Sequence, residues 1–175
     1  MDVKVVVQDK YKPQYANETD ACMDIRAAIH NTEFEEWTDY NYQVMTTAGK
    51  LEPTVYTSTE TSTIIPPGET RIIGTGLQVA VPVGQEMKMY VRSSTGIKKH
   101  LDLANGTGII DAGYRDEVKM ALHNFGKQCQ VINDGDRICQ FEIQPVQKLN
   151  LIQVEDDEDF RNGDRGGGIG STGTK

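Results

Sequence analysis

Residues 87–92 read Met87-Lys88-Met89-Tyr90-Val91-Arg92, and their alternation of apolar with more polar side chains indicates a β-strand with one buried face. Similar short runs occur at residues 3–7, 77–81, 118–123 and 139–143, each bounded by Gly, Pro, Asn or Asp. Only the segment from Ser93 to His100 suggests a short helical turn. Many short strands separated by turns predict an all-β sandwich or barrel.

The bulk composition limits the classes of function. The chain has 175 residues and a net charge of −8, which argues against binding a nucleic acid polymer because such binding needs a basic surface. No apolar run approaches the length of a membrane span, and the N-terminus shows no signal peptide. The three cysteines, Cys22, Cys129 and Cys139, lack the spacing of a zinc site, and we expect buried thiols in a reducing cytoplasm.

Two regions depart from the strand pattern and suggest a domain division. Residues 31–63 are polar and aromatic, which is typical of an insert such as an extra hairpin. Residues 161–175 are rich in glycine and have little to bury, so we expect them to become ordered only on a ligand or partner. We therefore predict a β domain over residues 1–160 with an insert at about 31–63, followed by a flexible C-terminal lid over residues 161–175.

A polar cluster follows the predicted strands near the middle of the chain. Asn105 carries both a donor and an acceptor, so it could read one edge of a base. Asp111 ends the apolar run Gly108-Ile109-Ile110, where a carboxylate is either a turn former or a base. Tyr114, three residues later, could place its ring against a sugar.

Two further segments could bind oxyanions. Arg92-Ser93-Ser94 offers a guanidinium and hydroxyls at a strand end, although serines there also serve as simple caps. The C-terminal glycines could form a concave nest of backbone N–H groups, with Arg165, Ser171 and Thr172 beside it. The alternative for the same tail is a flexible terminus without a role.

The order of these segments is more specific than any one of them. The following segments resemble, in order, the motifs of the trimeric dUTPase family: Met23-Asp24, Arg92-Ser93-Ser94, Asn105 with Gly108-Ile109-Ile110-Asp111-Ala112-Gly113-Tyr114-Arg115, Gly135-Asp136-Arg137-Ile138-Cys139-Gln140, and Arg165 with Gly167-Gly168-Ile169-Gly170-Ser171-Thr172-Gly173. The insert is typical of a virus-type or phage-type member.

The resemblance implies a jelly-roll-like β subunit and a homotrimer with a swapped C-terminal tail, in which each active site is built from several chains. It implies magnesium-dependent cleavage of dUTP between the α and β phosphates, giving dUMP and pyrophosphate. This reaction keeps uracil out of DNA and supplies dUMP for dTMP synthesis. A cytoplasmic enzyme, or one in the host cytoplasm if viral, is expected.

The resemblance also implies a role for each site residue. Asp111 activates the attacking water, and Tyr114 packs on the deoxyribose and excludes a 2′-hydroxyl. Asp24 is expected near the Mg²⁺, which the substrate phosphates mainly hold. The residues expected at the uracil or deoxyribose are Asn105, Gly108, Ile110 and Ile169, with Phe160 as the alternative to Ile169. The residues expected at the phosphates are Arg92, Ser93, Ser94, Gln140, Arg165, Gly170, Ser171 and Thr172, with Arg161 as the alternative to Arg165.

Two other functions remain compatible with the sequence. A dCTP deaminase has the same fold and a related triphosphate site, but it uses a glutamate near the base, whereas Asp111 with Tyr114 favours hydrolysis. A β trimer that binds a nucleotide or a protein without turnover belongs to a different class. Release of pyrophosphate from dUTP, or of ammonia from dCTP, discriminates these functions.

Overall fold

The computed structural model describes residues 1–29, 39–45, 51–156 and 158–163, with the backbone alone at 39–45, 51–57 and 158–159. Within these ranges the chain forms short strands, two short α-helices and one turn of 3-10 helix at Asp9–Tyr11. The strands are β1 Lys4–Val6, β2 Met23–Arg26, β3 Asp39–Met45, β4 Leu51–Thr57, β5 Ser62–Ile65, β6 Thr70–Gly74, β7 Gln78–Ala80, β8 Gln85–Val91, β9 Leu101–Leu103, β10 Gly108–Asp111, β11 Lys119–Asn124, β12 Gln130–Asn133 and β13 Arg137–Pro145. The helices are α1 Ser93–Lys99 and α2 Glu158–Arg161.

The central sheet has the strand order β10-β8-β13-β2, and every pair in it is antiparallel. β8 is the strand over which the period-two pattern is clearest, and its Met87 and Met89 are buried as that pattern predicts. Met89 lies opposite Phe141 of β13 and opposite Gly108 of β10. Alternate residues of β8 therefore point into the core, while Lys88 and Tyr90 point to the other face.

Four smaller sheets accompany the central sheet in the described part of the chain. Their strand orders are β6-β11-β9, β12-β5, β1-β7 and β3-β4. A single hydrophobic core includes residues from the central sheet and from three of these sheets, among them Ile65, Ile73 and Val79. The predicted all-β, jelly-roll-like architecture is confirmed, because stacked antiparallel sheets share one core.

The short helix α1 connects β8 to β9 and was predicted as a helical turn over the same residues. It begins directly after Arg92 and ends at His100, which has a left-handed backbone conformation with φ 53°. The side chain of Thr95 is buried and its hydroxyl donates to the carbonyl of Ile138 (2.9 Å). This contact fixes the first turn of α1 against β13.

The predicted insert contains a hairpin, because β3 pairs with β4 from Asp39 opposite Thr57 to Met45 opposite Leu51. Ser62 and Thr63, at the end of the predicted insert, belong to β5, which pairs with β12. The division into a β domain, an insert and a lid stays a prediction. In the part of the chain that is described, no helix is long and apolar enough to cross a membrane.

The cysteines differ from one another in burial. Cys129 and Cys139 are buried as predicted, but Cys22 is only half-buried, so the prediction was wrong for that thiol. Cys22 precedes β2 in an irregular segment, and no strand alternation directs its side chain into the core. Burial raises the pKa of the Cys139 thiol, which keeps it protonated.

Candidate active site

A carboxylate held between two guanidinium groups forms the first part of the candidate site. The Nε of Arg92 lies 2.7 Å from Asp24 Oδ1, and Nη1 of Arg137 lies 3.1 Å from Asp24 Oδ2. The Asp24 side chain is only 11 % exposed, whereas those of Arg92 and Arg137 are 26 % and 43 % exposed. One carboxylate thus neutralises half of the positive charge, and the cluster keeps a surplus that suits an oxyanion.

The strand register brings this cluster together. Asp24 on β2 lies opposite Gln140 on β13, and Gln140 lies opposite Tyr90 on β8. The half-buried Gln140 is therefore a direct neighbour of Asp24 on the same face of the sheet. Arg92 follows the end of β8, and Arg137 begins β13, so both approach Asp24 from the strand ends.

Two exposed serines extend this surface. Ser93 and Ser94 form the start of α1 directly after Arg92, and both are exposed. The first N–H groups of a helix have no partner within the helix, so they favour an anion together with the hydroxyls. A cavity of about 210 Å³ opens on Asp24 beside Arg26 and Arg137. Of the residues predicted at the phosphates, Arg92 and Gln140 adjoin Asp24, and Ser93 and Ser94 follow Arg92 directly in the chain.

Tyr90 is the neighbour of Gln140 on this face. Its hydroxyl donates to Glu142 Oε1 (3.2 Å). Partial burial and then this hydrogen bond raise the pKa of Tyr90 above its usual value. The hydroxyl therefore stays protonated at neutral pH and serves as a donor, not as a base.

The chain reversal after β10, here called the Asp111 hairpin, forms the second part of the candidate site, although β10 pairs with β8 and not with the following strand β11. Gly108 packs against Met89 so closely that a Cβ would lie 2.9 Å from Met89 Cε and 3.2 Å from Met89 Cβ. Ile110 is buried, and Asp111 at the strand end is exposed. The alternation of β10 thus anchors the hairpin through Ile110 and presents the Asp111 carboxylate to solvent.

The turn beyond Asp111 is closed by hydrogen bonds. The Tyr114 N–H donates to Asp111 O (3.0 Å), and Nη1 of Arg115 donates to Ala112 O and Tyr114 O, each at 2.6 Å. Tyr114 is 38 % exposed, and its hydroxyl donates to Glu117 O (2.8 Å). A partly exposed ring fixed at its far end offers a flat apolar surface.

Asn105 lies in the turn before β10. The Gly106 N–H donates to Leu103 O (2.8 Å), and Gly106 has φ 71°, a conformation that glycine adopts readily. Asn105 is exposed, so its amide is available to a ligand. The order Asn105, Gly108, Asp111, Tyr114 therefore runs along one turn and hairpin.

Within one chain, the Asp111 end of the second part lies far from Arg92 of the first part. Asp111 lies opposite Glu86 at the start of β8, whereas Arg92 follows the end of the same strand. At the rise of an antiparallel strand, the backbone from residue 86 to residue 92 spans roughly 20 Å. A water positioned by Asp111 would therefore be far from an oxyanion held by Arg92 of the same chain.

The tail residues predicted at the phosphates and the base lie outside the described residues. They are Arg165, Ile169, Gly170, Ser171 and Thr172. Their two alternatives are described: Phe160 is exposed in α2, and Arg161 pairs with Asp156 at 2.6 Å. Their roles stay predictions.

Sequence reasoning gave no role to two residues of the site. Arg137 stands within a motif, yet its ion pair with Asp24 joins positions 113 residues apart. No pattern in the sequence points to Glu117, although its backbone carbonyl accepts the Tyr114 hydroxyl. The position of Arg137 directly after the turn Asn133–Asp136 was the one available signal for its part in the site.

Comparison with known sequences identifies the family. The profile of the dUTPase family matches residues 36–173. The chain is 40 % identical over 113 residues to the deoxyuridine 5′-triphosphate nucleotidohydrolase of Clostridium acetobutylicum, a match that covers 64 % of this chain and 76 % of that protein. The enzyme of the same name from Escherichia phage T5 is 38 % identical over 112 residues, covering 63 % of this chain and 74 % of the relative.

Solved structures show the same fold. The dUTPase of Staphylococcus bacteriophage 80alpha superposes with a TM-score of 0.64 at 21 % identity, covering 90 % of this chain and 98 % of the other. The dUTPase of Streptococcus mutans gives a TM-score of 0.61 at 18 % identity, covering 86 % and 99 % of the two chains. Because the family profile matches most of the length of this chain, the chain belongs to the dUTPase family.

Proposed function

We propose that this protein is a dUTP diphosphatase that hydrolyses dUTP to dUMP and pyrophosphate. The observation that carries this proposal is the identity of about 40 % with enzymes named for that substrate, together with a family profile whose match includes the Asp111 hairpin. The reaction would keep uracil out of DNA and supply dUMP for dTMP synthesis. We expect the enzyme to act in the cytoplasm.

The proposed reaction is attack of a water molecule on the α-phosphate. Asp111 would orient this water and accept its proton, a role that its exposed position at the end of β10 supports. Pyrophosphate is a good leaving group, so positioning and charge neutralisation supply most of the rate enhancement. No covalent nucleophile is required.

Selection of the nucleoside would fall to the turn and hairpin from Asn105 to Tyr114. The amide of Asn105 and the backbone of the hairpin from Gly108 to Tyr114 would pair with the edge of uracil. A cytosine would then leave buried polar groups unpaired, which is an effective means of exclusion. The Tyr114 ring would pack on the deoxyribose and leave no space for a 2′-hydroxyl.

Binding of the triphosphate would fall to the cluster around Asp24. Arg92, Ser93, Ser94 and Gln140 would contact the phosphates, and the position of Arg137 supports its addition to this set. Arg137 would share the charge of Asp24 with Arg92, so that neither guanidinium is fully neutralised. The arrangement supplies several donors to an anion in a partly buried setting.

The residues present fit a magnesium ion that the substrate mainly holds. Mg²⁺ is usually bound through one or two carboxylates together with substrate phosphates, and Asp24 is the carboxylate in the phosphate cluster. Both of its oxygens already contact guanidinium groups, so an indirect contact through water fits better than direct ligation. The ion would neutralise charge on the phosphates as the anhydride breaks.

We further propose that the active enzyme is a homotrimer with sites shared between chains. The separation of Asp111 from Arg92 along β8 supports this, since a second chain can bring the two together. A second support is the segment after β13, where four large apolar side chains stand exposed. They are Leu149, Leu151, Ile152 and Val154. A neighbouring chain that covered this segment would remove them from water.

The C-terminal lid is the remaining part of the proposal. Arg165, Gly170, Ser171 and Thr172 from a neighbouring chain would close over the phosphates, and Ile169 would cover the uracil. Closure would exclude bulk water. Deletion of residues 162–175 should leave a folded trimer with strongly reduced turnover, as measured by size-exclusion chromatography and pyrophosphate release. Unfolding of the truncated chain would instead assign the tail a structural role.

The test is a magnesium-dependent pyrophosphate assay with dUTP, dCTP, dTTP and UTP. We expect turnover of dUTP that is abolished by Asp111→Asn and kept in the matched control Asp116→Asn, since Asp116 is an exposed carboxylate of the same segment. Absence of turnover with dUTP would contradict the proposal. Ammonia released from dCTP would instead indicate a deaminase.

A further inference from the structure

The Tyr114 side chain is held by a hydrogen bond to Glu117, three residues later in the chain. Its hydroxyl donates to the backbone carbonyl of Glu117 at 2.8 Å, while the residue itself is 38 % exposed. A tyrosine at a partly exposed position keeps several rotamers unless a contact selects one of them. The location of the Glu117 carbonyl therefore decides where the ring lies.

The Glu117 side chain binds this part of the backbone to the turn between β6 and β7. A single oxygen, Oε1, accepts the N–H of Thr75 at 2.9 Å and the N–H of Gly76 at 2.6 Å. Gly76 has φ +64°, and this left-handed conformation lets two successive N–H groups point at one oxygen. Hydrogen bonds to a carboxylate are stronger than those between neutral groups.

The next residue, Val118, is bound to the same turn between β6 and β7. The Thr75 hydroxyl, which is buried, donates to Val118 O at 2.6 Å, and the Val118 N–H donates to Leu77 O at 2.8 Å. Residues 117 and 118 are thus joined to residues 75–77 by both backbone and side-chain bonds. We call this set of hydrogen bonds the Glu117 clamp.

We propose that Glu117 is a positioning residue for sugar selection, which holds Tyr114 where its ring excludes a ribose. This inference rests on the proposed function, because it concerns a residue that supports Tyr114 in the same site. Glu117 does not contact the substrate. It acts through the Glu117 clamp, which fixes the carbonyl that in turn fixes the Tyr114 hydroxyl.

The chemistry of the clamp predicts which substitutions preserve it. Glu117→Gln retains an oxygen that can accept the N–H groups of Thr75 and Gly76, whereas Glu117→Ala retains no acceptor. Without the acceptor, the bonds of Val118 remain but those of the Glu117 side chain are lost, so the Glu117 carbonyl and the Tyr114 ring are held less firmly. A less firmly held ring admits the 2′-hydroxyl more easily, so kcat/KM for UTP should rise relative to that for dUTP.

The experiment measures kcat and KM for dUTP and UTP in the full-length, assembled enzyme. In Glu117→Ala the ratio of kcat/KM for dUTP to that for UTP should fall on the order of tenfold, largely through KM. Glu117→Gln should recover most of the wild-type ratio. Asp116→Ala is the matched control, since this neighbouring exposed carboxylate makes no part of the clamp, and it should leave the ratio unchanged.

Tyr114→Phe gives a second test that leaves the clamp and the core intact. It removes the hydroxyl that reaches Glu117 but keeps the ring, so the ratio should fall in the same direction. The double variant Glu117→Ala/Tyr114→Phe should be no worse than the more impaired single variant, because both changes break one linkage. Circular dichroism and size-exclusion chromatography establish that each variant is folded and assembled.

The outcomes separate this inference from the proposed function. If the wild type releases no pyrophosphate from dUTP, or turns over UTP equally fast, the proposed function or the role of Tyr114 fails. If the wild type discriminates but Glu117→Ala and Tyr114→Phe keep its ratio, the positioning role is overturned. Equal losses for both substrates in Glu117→Ala also overturn it, because they indicate a purely structural effect.

Discussion

Removal of the Asn124 side chain should lower the stability of the protein substantially. It is completely buried at the end of β11 and makes three hydrogen bonds. Its Nδ2 donates to Ile65 O (2.7 Å) and to Gln128 O (2.8 Å), and its Oδ1 accepts the Gly126 N–H (2.9 Å). The amide thereby joins the turn between β11 and β12 to β5.

Replacement of Asn124 by alanine leaves three backbone groups without this partner. A buried group that loses its hydrogen bond costs about 1–3 kcal/mol, and the groups of Gly126 and Gln128 lie near the surface, where water can substitute in part. We therefore expect a loss of about 3 kcal/mol in the free energy of unfolding. For a domain of this size, such a loss lowers Tm by roughly 6–12 °C.

Urea unfolding followed by circular dichroism measures this loss. Protein concentration has to be held constant, because assembly couples to unfolding. Gln128→Ala is the matched control, since the interaction uses the backbone carbonyl of Gln128 and not its side chain, and it should cost less than about 0.5 kcal/mol. A loss under about 1 kcal/mol in Asn124→Ala would refute the reasoning, because the three bonds would then be replaceable by water.

Two further predictions concern the residues that tie the N-terminal segment to the core. Gly76→Ala should lower the free energy of unfolding by about 2 kcal/mol in urea titrations. The reason is that φ of Gly76 is +64° and the new Cβ would lie 3.0 Å from Cδ2 of the buried Tyr11 ring. An unchanged midpoint of the urea titration would contradict this. Burial acts to raise the pKa of Asp134, but hydrogen bonds from Tyr11, Ile29 and Lys10 outweigh it and hold the pKa below its usual value. The stabilisation is therefore present above a pH of about 4 and is lost as the pH falls through the lowered pKa. Asp134→Asn should flatten this acid branch of a stability-against-pH curve, and an identical acid branch would assign the loss to other carboxylates.

Local patterns were enough to predict the strands and the short helix. The alternation in β8 identified Met87 and Met89 as core residues, because burial on one face of a strand leaves a period of two in the sequence itself. The same reasoning holds for Leu77 and Val79. Such signals lie within a few neighbouring residues, so a single sequence contains them.

The contacts that build the site are not local, and for that reason sequence reasoning missed them. Asp24 meets Arg137 across 113 positions, and Glu117 meets Thr75 across 42. Their proximity follows from the pairing of β2 with β13 and from the path between β6 and β7, neither of which a linear pattern specifies. Motif order indicated that Asp24, Arg92 and Gln140 belong together, but not that Asp24 lies between two arginines.

The separation of Asp111 from Arg92 leads to a sharp test of the shared site. If each site takes its hairpin from one chain and its arginine from another, Asp111→Asn and Arg92→Gln should each be inactive alone but restore activity when mixed. Random co-refolding of equal amounts would give about one quarter of the sites an intact hairpin beside an intact arginine. Pyrophosphate release by the mixture should then approach about one quarter of the wild-type rate. A mixture of Asp111→Asn with the double variant Asp111→Asn/Arg92→Gln provides the control, because every hairpin in it lacks the Asp111 carboxylate and no recovery is expected. If the first mixture stays as inactive as its components, Asp111 and Arg92 act within one chain, and the roughly 20 Å between them along β8 would have to be closed by a rearrangement of the sheet.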